Sequence, residues 1–384
     1  MQANHFYLLR SVQGTPYLLP YGEGIARHLH GVQLNHAGVL LWNALCRGAD
    51  ENGLLAVLAD AYKADKTDLP QLRQDIAAFL SQLKALGVCT ASSQPKLYSA
   101  CFSIGGLKIA YDGPIGLLFP TLHDFSCSQP PCFDQIWTVK KSAAPGNDRN
   151  GTAILSSTDM EIRRSRDAWI LNFFCFTFLQ RCRISADCRQ AVFYVPETYS
   201  SSVLTQELFH AARFAFFLAA QASGLFALHS ASLVYKEKAW LFSAPSGVGK
   251  STHVSLWHTQ FGTKILNGDL NLLGIKDGRP YIAGIPWCGT SGISTAKEYP
   301  LGGIVLLKQA AEDSVLELSA SKKQLLVTQR LISPAWTAAQ FDACLDFAGQ
   351  LVDLNVPILQ FACTKSPQAA QIMKHTIDEI LNEP

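Results

Sequence analysis

Residues 242–252 read Phe242-Ser243-Ala244-Pro245-Ser246-Gly247-Val248-Gly249-Lys250-Ser251-Thr252. Small residues in such a run let successive backbone N–H groups turn inward around an anion. The Lys reaches past them to outer phosphates, and the hydroxyl beside it can ligate magnesium. An apolar strand, Ala239 to Phe242, enters the run, and Thr252 to Trp257 can form a helix whose N-terminal end adds positive potential. The stretch predicts a phosphate-binding loop, with Ser246, Gly247, Val248, Gly249, Lys250, Ser251 and Thr252 as the candidate nucleotide-binding residues. One departure stands inside it: Ala244 occupies the first Gly position of G-x-x-x-x-G-K-S.

The flanking sequence predicts antiparallel strands around this loop. Ala231 to Tyr235, a Lys-Glu-Lys turn and Ala239 to Ser243 read as a hairpin, where a parallel strand with a crossover is the commoner arrangement. Downstream, a strand from Lys264 is expected to run to Ile275, turn at Lys276-Asp277-Gly278-Arg279 and return as Pro280 to Ile285. It carries Asp269, 19 residues after Lys250, which could ligate magnesium or take a proton from an attacking hydroxyl. His229, expected at the end of an apolar helix, could pair with Asp269 or be a structural histidine. Gly284 to Gly289 reads as a Pro-Trp corner, with Trp287 either walling a pocket or packing in the core. Cys288 has no evident base near it in the sequence and is discounted as a nucleophile.

The 384 residues suggest two to three domains at roughly 150 each. A hydrophobic content of 48% can fill cores and excludes disorder as the main state. A net charge of +2 gives no field for a phosphate backbone, so no nucleic acid is expected as the main partner. The apolar window Leu208 to Phe226 contains His210, Arg213 and Gln221 and reads as a buried helix; no membrane partner is expected. Met1 to Leu9 has no secretory pattern, and the 11 Cys include no C-x-x-C pair, which together predict reduced thiols and a cytoplasmic protein.

Upstream, residues 1–93 predict three short strands (Phe6 to Val12, Tyr17 to Pro20, Ile25 to Leu34) followed by three helices, a winged-helix-like module. Asn35 caps the first helix, His36 to Cys46, and Asn52 can start the second. Asp68 and Pro70 open the third, Gly87 ends it, and Leu69, Leu72, Ile76, Phe79, Leu83 and Leu86 form its apolar stripe. Its few basic residues favour a peptide partner over DNA. After a linker at Ser92 to Pro95, residues 96–228 predict strands at Phe102–Tyr111, Ile136–Val139, Met160–Arg164, Ala168–Phe178 and Ala191–Val195, closed by a helix from Val203.

Leu228-His229-Ser230-Ala231-Ser232, the loop, Leu266-Asn267-Gly268-Asp269 and Gly284 to Gly289 together resemble the HPr serine kinase family. The resemblance is closer to HPr-kinase-like proteins encoded beside genes for ribosomally made, modified peptides, and it covers about Lys96 to Pro384. Leu34-Asn35-His36-Ala37-Gly38 and the Leu/Phe pattern from Leu69 to Leu86 resemble a PqqD-type module, which recognises leader peptides. The implied fold is multidomain α/β: a PqqD-like module at 1–93 and an HPr kinase/PEP carboxykinase-like P-loop domain at 96–384, with mixed and antiparallel strands. Its β-rich portion is 96–228 and its catalytic portion 229–384.

The resemblance implies an ATP- and Mg2+-dependent kinase for a Ser or Thr hydroxyl of a precursor peptide. Lys250 and the loop amides would hold the triphosphate, Ser251 and Asp269 would bind magnesium, and Asp269 would be the base with His229 its partner. The leader would add as a strand beside Ala26 to Leu34 and pack on the third helix, placing Ala26, His28, His30, Val32, Leu72, Ile76 and Phe79 against it. HPr kinases carry paired acids where Asp269 is followed by Leu270, and an acid and an Arg on the return strand where this chain has Ala283, Gly284 and Ile285. They also form hexamers, which leaves an oligomer open. Two further readings stand beside the kinase. In one, the phosphate is transient and a partner enzyme removes it; in the other, a nucleotide-gated protein presents the precursor without phosphoryl transfer.

Overall fold

The computed structural model describes residues 2–3, 7–20, 30–90, 97–130, 132–143, 146–245 and 247–382. The chain divides into two compact units, one of Met1–Cys101, Lys108–Tyr111 and Cys127–Ile136, the other of Phe102–Leu107, Asp112–Ser126 and Trp137–Pro384.

In the first unit, Gln13 and Gly14 both take positive φ, 50° and 81°, the conformation that joins twisted strands through two residues. They connect Tyr7–Val12 (β1) to Thr15–Pro20 (β2), and Val32–Gln33 (β3) pairs with the other edge of β2. Three helices follow: His36–Cys46 (α1), Glu51–Tyr62 (α2) and Leu69–Ala85 (α3). Asn35 caps α1 by accepting from Gly38 N at 2.7 Å, as its position predicts. Asp50, not Asn52, opens α2, accepting from Gly53 N at 2.8 Å. Asp68 makes no cap; its carboxylate accepts from Asp65 N instead. Leu18, Trp42, Leu45, Leu54, Leu58, Ile76, Leu80 and Leu83 form one core. The stripe on α3 is therefore rotated from expectation: Leu80 joins Ile76 and Leu83 inside, while Leu86 is exposed.

The expected strand Phe102–Tyr111 is two strands, Ala100–Ile104 and Leu107–Asp112, broken where Gly105 and Gly106 take positive φ. Further on, Thr152–Ser156 (β4), Met160–Arg164 (β5), Ala168–Phe173 (β6), Arg181–Ser185 (β7) and Gln190–Val195 (β8) form an antiparallel meander. Strand β6 ends at Phe173 rather than Phe178 because the next donors leave the ladder. The N–H groups of Thr177, Phe178 and Leu179 all donate to the buried Glu207 carboxylate, at 2.5, 3.0 and 2.9 Å. Glu207 lies on Ser201–Ala222 (α4), the expected apolar helix. Among the described residues no helix is long and apolar enough to cross a membrane.

The strand Gln135–Lys141, at the expected Ile136–Val139, joins β8 to Leu107–Asp112 in an eight-stranded sheet, and nine later strands form a second sheet. Its members are Phe226–His229 (β9), Ala231–Tyr235 (β10), Lys238–Ser243 (β11), Lys264–Asn267 (β12), Leu270–Lys276 (β13), Arg279–Ala283 (β14), Glu298–Gln309 (β15), Ser314–Leu316 (β16) and Ile358–Cys363 (β17). Both expected hairpins are present, β10–β11 and β13–β14. The loop strand β11 also pairs in parallel with β15, which pairs in parallel with β17. The sheet around the loop is thus mixed.

Alternate residues of β11 face two cores, which is why the strand reads as continuously apolar. Ala239 and Leu241 pack with Phe347 and Leu351 of Ala338–Asp353, whereas Trp240 and Phe242 pack with Trp257, Phe361, Met373 and Ile377. Helices thereby cover both faces and hold the C-terminal end of β11 where the glycine-rich loop begins.

Candidate functional site

The loop leaves β11 at Ala244 and enters the helix Lys250–Phe261 (α5). Ala244 is fully buried and is absent from the positive-φ positions, so the motif's first Gly is not needed there. Gly247 and Gly249 take φ of 80° and 132°, where a side chain would be strained. Val248 turns its side chain into the core beside Trp257. The remaining loop residues, Gly247, Gly249, Lys250, Ser251 and Thr252, line a cleft of about 530 Å³, and Ser246 lies outside the described residues.

Across the cleft stand His229 and Asp269, with His229 Nε2 donating to Asp269 Oδ1 at 3.1 Å. His229 is the last residue of β9, not the end of the apolar helix; α4 stops at Ala222, where Ser223-Gly224 breaks it. The strand expected to run unbroken through Asp269 is interrupted. Asn267 Oδ1 accepts from the N–H groups of Asp269 and Leu270, both at 3.0 Å, which turns the chain and projects the carboxylate outward. Asn267 is itself pinned, donating to Ile285 O at 3.1 Å. Below it, the fully buried Asn271 donates to Ser230 O at 2.6 Å and accepts from Ser232 Oγ at 2.6 Å. The Asn267, Asn271 and Ser232 side chains beneath Asp269 are thus hydrogen-bonded, a rigid support for one carboxylate.

The charges in the cleft are unequal. The His229 hydrogen bond holds the Asp269 carboxyl below the usual carboxylate range against the opposing effect of burial, with help from Lys250 and Arg213. Lys250 is 8% exposed and burial lowers its pKa; among the described residues its ammonium donates only to Ala244 O, at 3.3 Å. Arg330 adds further positive charge near Lys250. Arg213 on α4 and Arg330 carry no sequence signal for this role, since each is far along the chain from the loop. Among the described residues that line the cleft, Lys250 and Lys365 outnumber the one carboxylate, Asp269, an arrangement that favours a polyanion.

The remaining candidates separate. Trp287 is core: it packs on Phe209 and Phe216 and donates from Nε1 to Phe209 O at 2.9 Å. Cys288 lines the cleft, but burial raises its pKa and keeps it a thiol. Gly289 follows at φ 59°, where a Cβ would come within 2.9 Å of Asp269 Cβ. Gly289→Ala is expected to cost about 1–3 kcal/mol in urea unfolding, from left-handed strain plus displacement of the carboxylate. In the first unit, Ala26 and His28 lie outside the described residues. His30 is exposed and Val32, Leu72 and Phe79 are half-buried, whereas Ile76 is 3% exposed inside the helical core and so is not available as a peptide contact.

Residues 23–88, near the N-terminus of this mixed α/β chain, match the family model described as coenzyme PQQ synthesis protein D (PqqD). Two solved structures are similar to parts of the chain. One is TbiB1 in complex with the TbiA(beta) leader peptide, with 17% identity and a TM-score of 0.20 over 24% of this chain and 100% of that one. The other is the HPr(Ser) kinase/phosphatase from Coxiella burnetii, with 14% identity and a TM-score of 0.19 over 24% of this chain and 64% of that one. No curated protein matches the chain.

Proposed function

We propose that the chain is an ATP-dependent kinase that phosphorylates a Ser or Thr hydroxyl of a ribosomally made precursor peptide held by its leader. The observation that carries this reading is the cleft itself, in which the buried Lys250 ammonium and the His229-held Asp269 carboxylate face a glycine loop at the start of a helix. A buried ammonium without a carboxylate partner is costly unless a bound anion joins it. The loop N–H groups and the start of α5 would hold the phosphates with Lys250. Asp269, ionised at neutral pH, would accept the proton of the peptide hydroxyl as its oxygen bonds to the γ-phosphorus and ADP departs with the broken P–O bond.

The donor set suits magnesium. Ser251 and Asp269 offer hard oxygens on one cleft, and among the described residues no group of three His, Cys, Asp or Glu could hold a metal without other ligands. Mg2+ is commonly bound by one or two protein oxygens plus phosphates and water, where it neutralises phosphate charge.

The PqqD match at residues 23–88 supports leader recognition. The leader would add beside Val32 and His30 and reach Leu72 and Phe79 on α3. Tethering raises the acceptor's local concentration to the order of millimolar, so the cleft needs little selectivity of its own. Label transfer from γ-labelled ATP should fall at least about tenfold on a leaderless peptide and recover only partly with leader added in trans. Equal labelling of full-length and leaderless peptides would remove the tether. The single carboxylate among the cleft-lining residues keeps a second reading, a nucleotide-gated carrier that binds ATP and leader but transfers nothing.

A further inference from the structure

Lys365 borders the same cleft from outside the loop motif. It sits on the turn between β17 and the helix Pro367–Asn382, and that turn is fastened on several sides. The Asp313 carboxylate accepts from Thr364 N at 2.6 Å and from Thr364 Oγ1 at 3.2 Å. Ser366 N donates to Thr364 Oγ1 at 3.2 Å. His253, fully buried on α5 and stacked on Phe242, donates from Nε2 to Thr364 O at 3.0 Å. Burial lowers the His253 pKa, so this bond is made by the neutral ring. The helix that starts with Lys250 is therefore tied to the backbone of Thr364, the residue before Lys365.

The side chain contrasts with this fixed backbone. Lys365 is exposed, and among the described residues its ammonium makes one long contact, 3.4 Å to Gly247 O. Its Cε lies 3.3 Å from the position a Cβ on Gly249 would take, so it lies against the two loop glycines. An ammonium carries three donors, and one long bond to a carbonyl leaves most of that capacity open.

We infer that Lys365 is a second polyphosphate-contacting lysine, which reads the charge of the nucleotide from outside the glycine loop while Lys250 reads it from within. The inference rests on the nucleotide reading above and extends it to a residue that selects nucleoside triphosphates and diphosphates over less charged ligands. It is a specificity residue and takes no part in proton transfer.

The test is calorimetric titration of the full chain with ATP, inorganic tripolyphosphate and adenosine, using wild type, Lys365→Ala, Lys365→Gln and Lys365→Arg. Ala and Gln should weaken ATP and tripolyphosphate about ten- to a hundredfold, as for a lost hydrogen bond to a charged group, and leave adenosine unchanged. Arg should retain most of the affinity, and the melting temperatures should stay together because the side chain is exposed. In turnover, KM for ATP should rise while kcat at saturation is kept. Wild-type affinity for ATP in both Ala and Gln variants overturns the inference, as does a loss that follows melting temperature instead of ligand charge. Wild type that binds neither ATP nor tripolyphosphate sinks the nucleotide reading itself, a distinguishable failure.

Discussion

Lys250→Ala is expected to lower phosphate transfer to the peptide by a factor on the order of 1,000. It removes the one cation that the loop holds inside the cleft, where a low dielectric strengthens its hold on developing phosphate charge. The same residue should behave oppositely toward stability. Its ammonium is buried with a single carbonyl partner, and its pKa is lowered by burial. Between that lowered value and the ordinary lysine value, the unfolded chain binds a proton that the folded chain does not. Stability should therefore rise with pH across that window. Lys250→Met removes the penalty, so the ligand-free variant should melt no lower than wild type below the window and lose the pH-dependent rise. ATP should raise the melting temperature of wild type and not of this variant. A Met variant that melts well below wild type without ligand would mean that Lys250 is a structural residue.

Asp269→Asn should reduce transfer about 100- to 10,000-fold, since it removes the proton acceptor and weakens a magnesium ligand, while ATP without Mg2+ should bind within a few-fold of wild type because the loop is intact. Its pH signature is specific. The folded Asp269 carboxyl is held below its ordinary range, chiefly by His229. The stability it contributes is present above the ordinary carboxylate value and disappears as pH falls through the folded value. The Asn variant should lack that loss. His229→Ala removes the largest cause of the depression, so the acid limb of the rate profile should move upward toward the ordinary carboxylate value. An unmoved acid limb would show that His229 does not set the charge of Asp269.

Local chemistry was legible in the sequence. The glycine loop, the β10–β11 and β13–β14 hairpins and the Asn35 cap depend on residues close in the chain, and each has a local physical signature. Failures came where distant partners decide. The strand through Asp269 looked continuous because nothing in Ile265 to Ile275 announces that Asn267 will accept two backbone donors and turn it. Strand β6 is five residues shorter than its apolar run suggests because the N–H groups of Phe174 and Cys175 turn to Asp159 O and those of Thr177 to Leu179 to a carboxylate on α4. The resemblance puts Ile76 against the leader, but which part of the α3 stripe stays open depends on how α3 meets the core, and Ile76 packs inside it. Arg213, Arg330 and Lys365 carry no motif of their own. Lys365 had a faint signal: Ser366-Pro367 after an apolar strand marks a helix start, and loops at such points often border sites.

The most direct test of the central proposal is a single-turnover reaction of the full chain with γ-labelled ATP, Mg2+ and a full-length precursor peptide, quenched and resolved by intact mass. The expected result is one phosphate on a Ser or Thr of the peptide, with an equal amount of ADP formed and none of either with Asp269→Asn on the same timescale. Bound ATP and bound leader with unlabelled peptide and no ADP would contradict phosphoryl transfer and leave the nucleotide-gated carrier in its place.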